Sequence, residues 1–176
     1  MAKIQIGAKR LSKKPTKTVE FIPAKPIAKD HKNPTVRVAN KMTGLSIKQL
    51  VKATPPYIRS NSEDVVIKAL KPATTKGGLP GIRSKTVTSG KRPAEVYDTS
   101  FVGKEKGIPV SAQKHVLASC SCAWFWSHCE FALTHWGSAV IKYSNGEPAT
   151  VTNPSNHPML CKHLVRLGIT IVEEGL

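Results

Sequence analysis

Ser119-Cys120-Ser121-Cys122, followed after an interval of 38 residues by Cys161-Lys162-His163, is the part of this sequence that decides how the rest is read. A Cys-x-Cys pair can grip an ion from a bent strand or knuckle, and a Cys-x-His pair can grip the same ion from the start of a helix. Zinc takes four ligands in a tetrahedron, and three thiolates with one imidazole are among its standard structural sets. Cys120, Cys122, Cys161 and His163 are therefore the candidate ligands of a Zn2+ ion. With all four positions filled by protein, no position is left for a water, and the metal is expected to be structural.

The remaining cysteine and histidines carry weaker signals. Cys129 falls on a predicted helix and reads as a small core residue, with replacement of one of the four ligands as the alternative. His128, His135 and His157 read as surface or capping residues. A Cys-His nucleophile pair one residue apart cannot build a nucleophile, base and orienter, so no enzyme is expected.

Working outward from the ligands, Trp124 to Trp136 has Phe125, Cys129, Ala132 and Trp136 at helical spacing, with Gly137 as a terminator. Trp124, Trp126 and Trp136 could stack on unpaired bases, but at this spacing they read as core. Ser138 to Tyr143 reads as a strand, Asn145-Gly146 as a tight hairpin turn and Thr150 to Thr152 as the returning strand, with Pro148 confining it to an edge. Leu160 to Leu167 is predicted as a last helix stopped by Gly168, and Ile169 to Val172 as a closing strand. The expected fold is α+β: a small zinc-stapled domain over residues 111–176, built from a helix, a β-hairpin and a short terminal helix.

Residues 1–110 read differently, as a long, largely extended basic arm. Ten of the 13 prolines lie at or before Pro109, and residues 1–115 hold 24 Lys and Arg against 7 Asp and Glu, while the remainder holds 3 against 4. Such a field favours a polyanionic partner, nucleic acid or an acidic protein surface, with a merely solvating tail as the plainer reading. Lys9, Arg10, Lys13, Lys14 and Lys17 are the candidate contacts. Two short helices are predicted in the arm, Leu45 to Ala53 with Ser46 as cap and Glu63 to Lys71 after Ser62. Each is about two turns and marginal alone, so Leu45, Leu50, Val51, Val65, Val66 and Leu70 are expected to pack on other chains. No stretch reaches the roughly 18 apolar residues of a membrane span, and Met1 to Lys14 has no apolar secretion segment. A soluble protein made in a cytosol is expected, where clustered cysteines point to metal or to redox chemistry rather than to a disulfide framework.

The Cys120-x-Cys122 and Cys161-x-His163 pairs resemble the SWIM-type zinc finger, whose pattern is Cys-x-Cys, a variable gap, then Cys-x-His. The resemblance covers residues 120–163 and implies a first pair on a hairpin and a second pair opening a helix; the gap here is longer than usual. A closer likeness is to a group of tailed-phage proteins. It is carried by Ser119 to Cys122, Tyr143 to Pro148, Thr152 to Pro154 and the Cys161-Lys162-His163-Leu164 end. That likeness implies a virion or virion-assembly component, made in the host bacterial cytoplasm and contacting other virion proteins in a large symmetric assembly, with packaged DNA as a further partner of the arm. It implies neither a membrane nor a small-molecule substrate. The alternative is a SWIM-type nucleic-acid-binding protein that uses the basic arm for phosphate contacts.

Overall fold

The computed structural model describes residues 43–89 and 95–176, and every element in it belongs to one unit, Thr35–Leu176. Chain order is α1 (Ile47–Ala53), α2 (Pro56–Ser60), β1 (Val65–Thr74), β2 (Pro80–Thr88), β3 (Val96–Gly103) and a 3-10 turn (Val110–Ala112). It continues with β4 (Val116–Cys120), a π-helical turn (Phe125–Cys129), α3 (Glu130–His135) and α4 (Lys162–Glu174). The four strands form an antiparallel sheet in the order β1-β2-β3-β4. Among the described residues no helix is long and apolar enough to cross a membrane.

Burial alternates along β3 and β4 and, with interruptions, along β1 and β2, so the sheet has one covered and one open face. Across the covered face Ile82 of β2 stands opposite Phe101 of β3, which stands opposite Ala118 of β4. Helix α4 lies against that face and touches all four strands. Its buried Leu164, Val165, Leu167 and Ile171 each contribute about 1.5 to 3 kcal/mol on removal from water. Gly168 marks where α4 and α1 come closest: a methyl there would sit 3.0 Å from Ile47 Cγ2, 3.3 Å from Val51 Cγ2 and 3.6 Å from Phe101 Cε2.

Helix α1 starts as Ser46 and Gln49 dictate. The Ser46 hydroxyl accepts from the Gln49 N–H while the Gln49 side chain accepts from the Ser46 N–H, satisfying two helix-end donors at once. At its other end the Thr54 hydroxyl donates to the Leu50 carbonyl and accepts from the Leu160 N–H, tying α1 to the approach of α4.

Several expectations are corrected here. Val65–Thr74, Pro80–Thr88 and Val96–Gly103 are not an extended arm but three strands of the sheet, which continues across residue 110 through the β3–β4 pairing. The prolines do not prevent this, because Pro72 lies on the edge strand β1 and Pro80 begins β2, where a missing N–H costs little. The predicted helix Glu63 to Lys71 is mostly β1; Ser62 instead closes α2, its hydroxyl donating to the Arg59 carbonyl. Leu50 and Val65 are buried in this chain's own core and Leu45, Val51 and Leu70 pack against it, so of the six residues expected on other chains Val66 alone stays exposed.

Residues 138–160 contain no strand or hairpin. Ile169 to Val172 is not a strand, because α4 runs through Gly168 to a left-handed cap at Gly175. Gly168 serves close packing and not termination.

Candidate metal centre

Cys120 is the last residue of β4, and the chain turns sharply after it. The Cys122 N–H donates to Cys120 Sγ at 3.4 Å and the Phe125 N–H donates to Cys122 Sγ at 3.3 Å, the N–H to sulfur bonding expected where two thiolates share a knuckle. The π-helical turn then sends Phe125 and Cys129 into the core, and α3, capped by Trp136, is closed by Gly137, whose φ of 71° permits a Schellman closure: Gly137 N–H to Thr134 carbonyl, Ser138 N–H to Leu133 carbonyl. From the other side Cys161 is the N-cap of α4 and His163 lies in its first turn. That position sets the Cys161 sulfur at the positive end of a 13-residue helix, which favours a thiolate.

The structure thereby brings together all four residues singled out from the sequence. Cys120, Cys122, Cys161 and His163 are buried, and their ligand atoms lie within 4.8 Å of one another. A tetrahedral zinc with bonds of about 2.3 Å to sulfur separates its sulfurs by about 3.8 Å, so the cluster has the size the ion needs. Chemistry agrees with geometry. Three soft sulfurs and one imidazole suit zinc, and the four cysteines are free thiols, none of them in a disulfide.

Charge in the cluster follows from burial and from mutual hydrogen bonding. Cys122 is pushed far below the ordinary thiol range, first by the Cys120 side chain and then by that of Cys161, while burial pushes Cys120 and Cys161 up. Burial and mutual repulsion thus both work against three thiolates in one cluster. A divalent cation offsets both burial and mutual repulsion and lets all three act as thiolates.

His163 is held in a defined orientation. Its Nδ1 lies 3.9 Å from Cys120 Sγ, facing the sulfurs, while Nε2 lies 3.2 Å from Thr88 Oγ1. The Tyr97 ring packs against the imidazole at a centroid distance of 4.4 Å. With Nδ1 as ligand, the Nε2–H donates to the Thr88 hydroxyl, the outer-shell contact that orients a metal-binding histidine.

Cys129 is fully buried and stands outside the four-ligand cluster; burial pushes its thiol up, with the nearby Cys161 and Cys122 adding to the effect. His128 stacks on Trp124 at 4.3 Å, and His157 uses Nε2 to reach the Ala53 carbonyl at 2.7 Å. Lys9, Arg10, Lys13, Lys14 and Lys17 lie outside the described residues.

Four supporting residues escape the sequence reading. Thr88 and Tyr97 sit on strands within the stretch that reads as an arm; the period-two pattern Ile82, Ser84, Thr86, Thr88 is the signal that could have found them. Glu130 is the third. Its buried carboxylate accepts from the backbone N–H groups of Lys142, Tyr143 and Ser144, holding the irregular segment that follows α3. Asn153 does similar work further along, donating to the His128 and His157 carbonyls and accepting from the His157 N–H. No family model, curated protein or solved structure matches this chain.

Proposed function

We propose that this chain is a non-enzymatic structural and interaction protein of a tailed-phage virion. One Zn2+ on Cys120, Cys122, Cys161 and His163 would staple its fold, and its basic N-terminal residues, Lys9, Arg10, Lys13, Lys14 and Lys17 among them, would lie over neighbouring subunits. The observation that carries this reading is the closed donor set: four protein ligands, all buried, joining the end of the sheet to the start of the helix that covers it. A metal held that way has no position for a reacting water and acts through folding free energy.

Charge supports the interaction half of the reading. Residues 1–42 hold 11 Lys and Arg against two acidic residues, which makes more than half of the chain's net +16. An anionic partner surface complements such a segment. The same charge favours the second reading, a SWIM-type nucleic-acid-binding protein.

Quantitative mass spectrometry of purified particles tests the proposal. The chain is expected at a fixed copy number relative to the major particle protein, and deletion of residues 1–42 should leave a folded, zinc-loaded protein that no longer incorporates. Absence from particles, together with retention on DNA that weakens steeply with salt, would refute the virion role and support the second reading.

A further inference from the structure

The open face of the sheet, opposite α4, carries an arrangement that folding alone does not require. Lys71 of β1 stands directly opposite Arg83 of β2, two like charges on one face, a pairing that weakens a sheet. The same cross-strand row continues through Ser100 of β3 and Ser119 of β4. Lys142 comes in beside it on the segment that Glu130 pins, its Nζ 4.7 Å from the Tyr143 ring centroid. Together Arg83, Ser100, Ser119, Lys142 and Tyr143 line a cleft of about 400 Å³. The one acid at the cleft, Asp98, is neutralised by Lys85 at 3.0 Å, the one ion pair among the described residues. Arg83, Lys71, Lys68 and Lys142 are exposed and have no such counter-ion there.

We propose that this face binds the nucleic-acid backbone, with one phosphate seated between Arg83 and Lys142 over the hydroxyls of Ser100 and Ser119, and Lys71 and Lys68 neutralising its neighbours. Charge complementarity selects an anion, and the lining selects its kind. An acidic protein partner would need an apolar anchor in a desolvated pocket for stable docking, whereas cations and hydroxyls on an open, wet surface are the usual contacts of a phosphodiester. A guanidinium fork at one side and an ammonium at the other fit a tetrahedral group with oxygens on every side. The inference is independent of the zinc assignment and of the arm, and it adds a second basic surface within the folded unit.

The test uses the full-length chain and a fluorescein-labelled single-stranded oligonucleotide of about 16 nucleotides, at the upper end of single-site lengths. Anisotropy titrations over a series of salt concentrations compare Arg83→Ala/Lys142→Ala with Lys48→Ala/Lys52→Ala, which removes the same charge from α1. The cleft pair should lose affinity about tenfold, and its slope of log affinity against log salt should flatten by about 1.4, roughly 0.7 for each phosphate left without its cation. The α1 pair should stay within about twofold of the parent chain, since distant surface charges are screened. Circular dichroism and the thermal midpoint, unchanged in both, separate impaired binding from impaired folding. Equal losses in the two pairs, or none in the cleft pair, would overturn the proposal. So would equally tight binding of poly-glutamate with the same dependence on Arg83 and Lys142, which would make the partner an acidic protein.

Discussion

Replacing Thr88 with valine should weaken zinc binding about tenfold without disturbing the fold. The substitution keeps the β-branched shape at the last position of β2, where the backbone pairs with Val65, and removes only the hydroxyl that faces His163 Nε2. Outer-shell partners of ligating histidines are worth about 10- to 100-fold in metal affinity. The low end applies here: at 3.2 Å the bond is long, both groups are neutral, and Thr88 is half-buried, so water can partly replace the acceptor. Tenfold corresponds to about 1.4 kcal/mol. Competition against a chromophoric chelator of known affinity reads this directly, and nitrogen chemical shifts of the His163 ring report which ring nitrogen carries the metal. An affinity within about twofold of the parent, or a metal on Nε2, would refute the assignment of Thr88 as the orienting acceptor.

Elemental analysis should find one zinc per chain, and Cys122→Ser or His163→Ala should abolish it together with the cooperative unfolding transition; a well-folded metal-free protein would contradict the staple. Cys129→Ala should keep the zinc and cost about 1 kcal/mol, because a buried thiol exchanged for a methyl loses only packing; loss of the metal would move Cys129 into the ligand set. Acid should release the metal: the bound fold holds its thiols deprotonated, Cys122 most of all, while the unfolded chain takes protons up, so stability falls as pH falls from neutrality, which thermal midpoints over a pH series would follow. Gly103→Ala should destabilise by about 3 to 4 kcal/mol, since the new methyl would meet the Gln113 side chain at 2.5 Å and displace its four hydrogen bonds, to the Lys104 and Glu105 N–H groups and the Glu105 and Ile108 carbonyls, worth about 1 kcal/mol each. A denaturant midpoint unchanged by that substitution would show that Gln113 moves aside freely.

The cluster of candidate ligands is legible in the sequence because chelation is local in chemistry even when remote in space: Cys-x-Cys and Cys-x-His each place two donors on one side of a short turn, whatever lies between. The cap of α1 is legible for a similar reason, Ser46 and Gln49 meeting within a single turn. What stays hidden depends on distant partners. Glu63 to Lys71 looks like a capped helix when only its neighbours in sequence are considered, and is for the most part a strand because β2 offers it a ladder of bonds. At Asn145-Gly146 the chain only bends, with Gly146 at φ 80°, and no strands flank it, since the N–H groups of Lys142, Tyr143 and Ser144 are taken by Glu130. Gly168 reads as a stop because glycine commonly ends helices, and nothing in the local sequence reveals that Ile47, more than 100 positions earlier, packs close enough to crowd any side chain there.

Zinc on the four ligands would also make the stretch between them a closed ring, shut at both ends by the metal. Within that ring Glu147, Pro148, Val151 and Thr152 are exposed and belong to no strand or helix, so a protease could sever the backbone there without uncovering the core. The two resulting pieces, one ending beyond the Cys120-x-Cys122 knuckle and the other carrying all of α4, would still share a single ion. Severed chain would therefore migrate as one molecule in native conditions and as two once a chelator is added, and α4 fragments supplied in excess would exchange into it: the covalent continuity of this protein between its sheet and its last helix would be, across that point, replaceable by coordination.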